Sequence, residues 1–421
     1  MKKGPPRIIL VGICVLLPSC SGYGQNQPPP PAYVPITMQQ AVDLARAKNP
    51  TLLAAQQNLL SVKAQEIQAA VRQNPNLVAT GSNVTQDAQA ANPYYYSVGV
   101  SRLFERGDKR RWRLDSARST TAETDAQYHA QEQQTTLLVR QAFTNFVIAK
   151  AAKKLADDNL NDYKHELDIG RERLKAGNLA KLDFERLDLQ LAQFESDESN
   201  AVTNAQQVSV QLQVLLGYDK PRKDFDVVGE VVPPVVSDTM EGFEQKALAA
   251  RPDYHAAHLG IAVADANVKL AYANGTADPT LEADYDRNGN DNSAAFSLSI
   301  PLRLFDRNQG NKETARYVAQ ASRFTETAVR NQVIADVDQA WIGYVNAKLL
   351  SDRYNGHYLD EAKDVLDISK FSYEHGALAL IDYLDALRES RSVTSDALNA
   401  YSQTWMTIHQ LSFATATDAV P

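Results

Sequence analysis

Gly177-Asn178-Leu179-Ala180-Lys181-Leu182-Asp183 returns 199 residues later as Gly376-Ala377-Leu378-Ala379-Leu380-Ile381-Asp382. Each copy follows a long proline-free run and precedes a second apolar-periodic run. This is the pattern of a helix that stops on a left-handed glycine and reverses. Ahead of the first glycine, Leu160, Tyr163, Leu167, Gly170 and Leu174 fall at alternating steps of three and four, and Leu359, Ala362, Leu366, Ser369 and Tyr373 repeat those steps. Such spacing is a coiled-coil seam. Phe184, Leu187, Leu191 and Phe194 carry the seam back, matched less apolarly by Tyr383, Ala386, Ser390 and Val393. Residues 110–174 hold no proline and only Gly170 as glycine, which predicts a rod of roughly 100 Å. Each half of the chain ends in a long antiparallel helical hairpin, and packing accounts for nearly all of these stripe residues.

The duplication extends outward from the hairpins. Thr37-Met38 matches Thr239-Met240, and Asn49-Pro50 matches Arg251-Pro252. Leu103-Phe104-Glu105-Arg106 matches Leu304-Phe305-Asp306-Arg307, and Gln141-Ala142-Phe143 matches Gln339-Ala340-Trp341. The first repeat covers residues 36–216 with its tip at 175–182, and the second covers 238–414 with its tip at 374–381. Residues 217–237, which include Val231-Val232-Pro233-Pro234, join them, and 415–421 form a tail. Both repeats read in the same order: helix, two short stretches of period two, a very long helix, a glycine turn and a last helix.

The period-two stretches predict strands at residues 77–86, 94–104, 279–287 and 294–304. Phe296, Leu298, Ile300, Leu302 and Leu304 alternate with polar or small residues, as do Leu281, Ala283 and Tyr285 with Glu282, Asp284 and Asp286. Two environments produce this alternation: a soluble sheet with one buried face, or strands with lipid on one side and a wet lumen on the other. In lipid an open edge is not tolerated and four strands cannot close, so the membrane reading requires several copies, and three would supply twelve strands.

Lys2, Lys3 and Arg7 precede an apolar run from Ile8 to Leu17, too short to span a bilayer and of secretory-signal form. Leu17-Pro18-Ser19-Cys20 resembles a bacterial lipoprotein signal, in which residues 1–20 form the signal region and Cys20 becomes the acylated N-terminus. The other reading is cleavage between Ser21 and Gly24 without a lipid. Residues 21–35 carry Pro28 to Pro31 and Pro35 and read as an extended tether. Cys14 and Cys20 are the only cysteines, so the body of the protein has no disulfide, thiolate metal site or cysteine nucleophile. The net charge of −8 gives no nucleic-acid footprint. A mean hydropathy of −0.38 excludes a bundle of membrane-spanning helices. No catalytic motif or cofactor site is legible. His255 and His258 lie three apart without a third ligand and read as a solvated or packed pair.

From about Ile36 to Ser412 the duplicated pattern and the two tip segments resemble the TolC-like outer membrane efflux proteins. Pro301-Leu302-Arg303-Leu304-Phe305-Asp306-Arg307-Asn308-Gln309-Gly310 is similar to a segment of that family's heavy-metal branch. The resemblance implies a mainly α fold with a membrane β part: a homotrimer with a twelve-stranded β-barrel in the outer membrane, continued by an α-helical coiled-coil barrel across the periplasm. An equatorial region around 217–237 would belt the tunnel. The implied partners are a periplasmic adaptor protein, an inner-membrane transporter and outer-membrane lipid. The resemblance also places Asp382 and Asp385 at the periplasmic aperture. One helical turn apart, they would form two stacked carboxylate rings in a trimer. Asp183 and Arg186 stand at the equivalent positions of the first half, where Arg186 or a nearby base is expected to engage the Asp pair in a closed state. Gly177, Leu179, Gly376 and Leu378 are candidates for docking the adaptor. Their structural alternative is a plain helix cap with its hydrophobic contact. The implied function is an exit duct for efflux, with cargo left open between drugs and metal cations.

A periplasmic coiled-coil adaptor or scaffold is the rival reading. It accounts for the signal and the hairpins but not for two equally placed strand pairs. An exported enzyme has no motif in its favour. The lipid reading is checked by feeding cells radiolabelled palmitate: the wild-type chain takes up label and Cys20→Ser does not. An unlabelled wild-type chain leaves the unlipidated cleavage.

Overall fold

The computed structural model describes residues 35–82 and 94–419. Cys20, nearly all of the expected tether and residues 83–86 of the first expected strand lie outside them. The chain begins with α1 (Met38–Lys48) and α2 (Pro50–Ala70), followed by β1 (Asn76–Ser82), β2 (Tyr95–Leu103), α3 (Lys109–Lys175) and α4 (Lys181–Leu215). The second half repeats this as α5 (Met240–Ala250), α6 (Pro252–Asn274), β3 (Thr280–Asn288), β4 (Asp291–Ser299) and α7 (Gln309–Arg353). A π turn (Tyr354–Tyr358), α8 (Leu359–Glu374) and α9 (Leu380–Thr415) complete it.

Local chemistry sets the matching boundaries. Thr37 caps α1 through a reciprocal capping box with Gln40, and Thr239 accepts from the Gly242 N–H at the start of α5. Proline occupies the first position of both α2 and α6, where no N–H is needed. Asp108 and Asn308, residue types that tolerate a left-handed backbone, precede the two long helices at φ of 57° and 59°. α3 runs unbroken for 67 residues, about 100 Å.

The second long helix runs from residue 309 to 374 with a π turn inside it. Its π turn takes in one residue more than a regular turn. The buried pairs Phe146/Tyr344 and Ala149/Ala347, above the turn, lie 198 apart, whereas the seam pair Leu160/Leu359, below it, lies 199 apart. The extra residue of the π turn is the one-residue drift between the halves, absorbed without leaving the helix.

The two expected strand pairs form one antiparallel sheet in the order β1-β2-β3-β4. The halves meet at β2–β3, paired from Tyr95↔Asn288 to Leu103↔Thr280. β4 starts earlier and ends earlier than the alternation of residues 294–304 implies: Ile300, Leu302 and Leu304 lie past its end at Ser299. Pro301 has no N–H to give to a ladder. The polarity of the sheet is the reverse of a soluble one. Val98, Val100, Leu281 and Tyr285 are exposed, while Ser97, Ser101, Glu282, Asp284 and Asp286 are partly covered and Gly99 is buried. Leu77, Val100, Ala283 and Phe296 sit opposite one another across all four strands on the exposed face. Gly99 faces Asp284 so closely that a Cβ would fall 1.8 Å from a carboxylate oxygen. Every residue of the edge strands β1 and β4 is exposed. Among the described residues, no helix is long and apolar enough to cross a membrane.

One core lies near the middle of the long helices. Val236, Phe243, Val333, Val337, Tyr344, Ile408 and Leu411 are buried there, with Trp341 and Trp405 packed against them. The connecting segment belongs to this core: the Val236 N–H donates to Tyr344 Oη at 2.8 Å and Trp405 Nε1 donates to the Val231 carbonyl at 3.1 Å. Ile36 forms a parallel bridge with Val227, so the start of the fold is bound to the same belt. His409 on α9 is 4% exposed, shares a hydrogen bond of 2.8 Å with Thr144 on α3 and stacks on Trp405. Burial, with a smaller contribution from the Arg140 charge, lowers its pKa from 6.5 to about 3.

A histidine held neutral when folded gives stability that is intact above the unfolded pKa of 6.5 and lost as pH falls below it, down to the folded value of about 3. The slope approaches about 1.4 kcal/mol per pH unit. Thermal unfolding followed by circular dichroism in detergent will show the wild type losing more stability than His409→Gln between pH 6.5 and 4. Parallel loss in both proteins refutes this role for His409.

Candidate aperture at the hairpin tips

The two tips are built alike. In the first, the Asn178 N–H donates to the Arg173 carbonyl and the Gly177 N–H to Leu174; in the second, Ala377 donates to Ser372 and Gly376 to Tyr373. These paired bonds are Schellman caps, and they require the left-handed residue that Gly177 (φ 75°) and Gly376 (φ 74°) supply. A Cβ at either glycine would meet nothing within 4 Å, so backbone conformation and not crowding selects glycine here. Leu179 and Leu378 are partly buried and turn inward onto a shared core of Leu167, Leu187, Leu380, Tyr383 and Leu384. The exposed apolar side chains are instead Leu182 (59%) and Ile381 (48%), the residues just before the two aspartates. The sequence reading did not single them out, although their equal place in the two tip segments was the signal available.

The expected seams are present but unequal. Leu160, Tyr163, Leu167 and Gly170 are buried along α3, whereas no residue of α8 is. Tyr163 stacks on Phe194 at 4.3 Å and donates to the Leu187 carbonyl at 2.8 Å. Burial pushes the Tyr163 and Tyr383 phenols well above their ordinary range. Charged side chains add to the shared apolar core in holding the second hairpin to the first. Lys370 pairs with Glu166, which also raises the lysine pKa. Arg173 lies over the Tyr373 ring, itself stacked on Tyr383 at 5.3 Å. Arg391 lies 4.0 Å over Phe194 and pairs with Asp197.

Asp382 and Asp385 are both exposed, one turn apart on the first two turns of α9. Within the chain Asp385 is held by Arg388 at 2.8 Å and Asp183 by Arg186 at 3.7 Å. Within one chain the base beside the Asp pair is Arg388, and Arg186 pairs with Asp183 on its own helix. Asp382 makes no ion pair among the described residues. His255 bonds to the Ala249 carbonyl, and no group of three or more His, Cys, Asp or Glu among the described residues is placed to hold a metal ion.

The family model for outer membrane efflux proteins matches residues 41–218 and, a second time, 244–417. The chain belongs to that family. It is 24% identical over 379 residues to the cobalt-zinc-cadmium resistance protein CzcC of Cupriavidus metallidurans, with 88% of each chain covered. It is also 24% identical over 396 residues to the outer membrane protein TolC of Vibrio cholerae, with 89% of each covered. Among solved structures, the outer membrane protein VceC of Vibrio cholerae superposes with a TM-score of 0.75 at 18% identity, over 91% of this chain and 97% of that one. A membrane protein of Pseudomonas aeruginosa reaches 0.78 at 19% identity, over 90% of this chain and 92% of that one. This efflux protein is an outer-membrane exit duct, and the scaffold reading is not favoured.

The two arginines near the hairpin tips of the efflux protein differ in weight. Arg391 is largely covered and has two partners, while Arg388 is in an exposed pair one turn long. Arg391→Ala is expected to cost the hairpin contact about 1–2 kcal/mol, and Arg388→Ala next to nothing. Amide hydrogen exchange across residues 185–200 and 385–398 checks this: it accelerates in the first variant and stays at the wild-type rate in the second.

Proposed function

We propose that three copies of this chain close a twelve-stranded barrel in the outer membrane, and that their hairpins form one tunnel across the periplasm. The carrying observation is the sheet with its apolar residues outward, its carboxylates inward and both edges free. Hydrocarbon favours the outward Leu77, Val100 and Phe296, and a wet lumen favours Glu282, Asp284 and Asp286. The repeat supports the closure, because the junction β2–β3 within a chain has its counterpart in β4 against the neighbour's β1. Acylation of Cys20 adds a lipid anchor.

The tips form the periplasmic aperture, with Asp382 and Asp385 as two rings of three carboxylates that concentrate cations and repel anions. A periplasmic adaptor docks on the tip surface around Gly177, Leu179, Gly376 and Leu378, to which exposed Leu182 and Ile381 add apolar contact. An inner-membrane transporter supplies the cargo and the energy, and the duct itself does no chemistry.

The protein extracted in mild detergent is expected to have the mass of a trimer, and in planar bilayers to pass cations in preference to anions. Asp382→Asn with Asp385→Asn lowers that preference several-fold while the trimer persists. A monomer, or recovery from the soluble periplasm, sinks the duct. An unchanged ion preference removes the carboxylates from the aperture.

A further inference from the structure

Arg102-Leu103-Phe104-Glu105-Arg106 returns as Arg303-Leu304-Phe305-Asp306-Arg307, in each half where the second strand gives way to the long helix. Residues 102–113 carry five arginines and Lys109 against two carboxylates, in a chain whose net charge is −8. Residues 300–312 carry Arg303, Arg307 and Lys312 against Asp306 alone. The carboxylates of both motifs are engaged elsewhere. Glu105 accepts from both guanidinium nitrogens of Arg113, at 2.5 and 3.2 Å, and Asp306 accepts from the Asn308 N–H at 2.8 Å. Asp278, just before β3, takes Lys109 and the Arg106 N–H. Arg102, Arg106, Arg303 and Arg307 are exposed and make no ion pair among the described residues.

The first motif shows which way it faces. Arg102 continues the outward row of Val98 and Val100 and stands opposite exposed Leu281. Its guanidinium lies 5.2 Å over the Phe104 ring. Phe104 stays 43% exposed although its N–H already bonds to the Pro279 carbonyl beside it, so an adjoining strand does not cover the ring. In the second motif Phe305 is 91% exposed, and Leu302, next to Arg303, is 80% exposed. Arginines and exposed rings at the end of an apolar sheet face have the composition of a membrane interface. There aromatics lie at headgroup level and arginines reach phosphate along apolar stems. The opposite end of the sheet differs. Its outward Arg287 is the only arginine or lysine there among the described residues, and it donates to the chain's own Gly289 carbonyl.

We infer that the two motifs form a collar that binds phospholipids with a net negative headgroup in the periplasmic leaflet of the outer membrane. Arg102, Arg106, Arg303 and Arg307 take phosphate oxygens, and Phe104 and Phe305 lie against the first carbons of the acyl chains. This rests on the barrel proposed above, because the motifs meet headgroups only if the outward sheet face lies in lipid. The long helices leave the sheet at this end, which makes it the periplasmic one. The chemistry matches: a guanidinium donates two parallel N–H bonds to two oxygens of one phosphate. A lipid is the occupant, and not a soluble anion, because the arginines continue the apolar face of the sheet. Exposed Leu302 and Phe305 gain nothing from a hydrated ion and much from hydrocarbon.

Native mass spectrometry of the full protein in mild detergent, with phosphatidylglycerol or phosphatidylcholine added at equal concentration, tests the collar. The wild type is expected to retain phosphatidylglycerol over phosphatidylcholine by about five-fold or more, roughly the worth of one arginine beside an anionic headgroup. Arg102→Gln, Arg106→Gln, Arg303→Gln and Arg307→Gln combined bring that ratio close to one, and the same four positions changed to Lys keep it. Arg287→Gln, at the other end of the sheet, leaves it unchanged. The oligomer mass is read in the same spectra. A wild-type trimer that holds both lipids equally, or a preference that survives the four Gln changes, overturns the collar and leaves the duct standing. Glycerol phosphate that displaces phosphatidylglycerol at equal concentration assigns the arginines to a free anion and overturns the lipid. A wild-type monomer overturns the barrel and the collar with it.

Discussion

The β2–β3 ladder joins the two halves, and the rest of the structure depends on it. Nine residue pairs run from Tyr95↔Asn288 to Leu103↔Thr280. Lys109, at the start of α3, reaches the Thr276 carbonyl and Asp278 just before β3, which locks the long helix to the other half below the sheet. With strand and helix both fixed, α6 has to lie in the groove between α3 and α7. A chain written twice can satisfy this junction once internally. The edge strands β1 and β4 stay exposed.

Below the belt the two hairpins do different work. The first is packed, with Tyr163 on Phe194 and Leu167 on Leu187, and the second leans on it through Lys370, Tyr373 and Arg391. The π turn stands where α7 gives way to α8, and Asn355 within it is touched by Tyr401 of α9. An insertion at that point rotates everything below it by roughly one residue, about 100°. The seam of α8 is therefore set by the insertion as much as by its own apolar residues.

Most of the architecture was readable from spacing. The duplication, both glycine turns and the returning seams depend on periods of three and four, or on a left-handed residue, and such signals survive substitution of individual side chains. The strand ends were less legible. Ile300, Leu302 and Leu304 continue the alternation but not the ladder, since a period shows which side chains share a face and not which backbone groups find partners. At the tips, helical spacing placed Asp382 and Asp385 one turn apart; within the chain Arg186 pairs with Asp183, and Leu179 and Leu378 turn into the core. Helical spacing gave each residue its neighbours on one helix. It did not give the competition among partners on four.

The sequence by itself determined that the chain is two copies of one unit, where each copy reverses, and that its strands alternate in polarity, because these are properties of order and period along the chain. Only the tertiary structure decided which side of the sheet is apolar. Alternation is the same for a buried face and a lipid face, and only the assembled sheet shows that Val98, Val100, Leu281 and Tyr285 are on its exposed side. The structure also decided that the strand pairs merge into one sheet, since the β2–β3 pairing joins segments far apart along the chain.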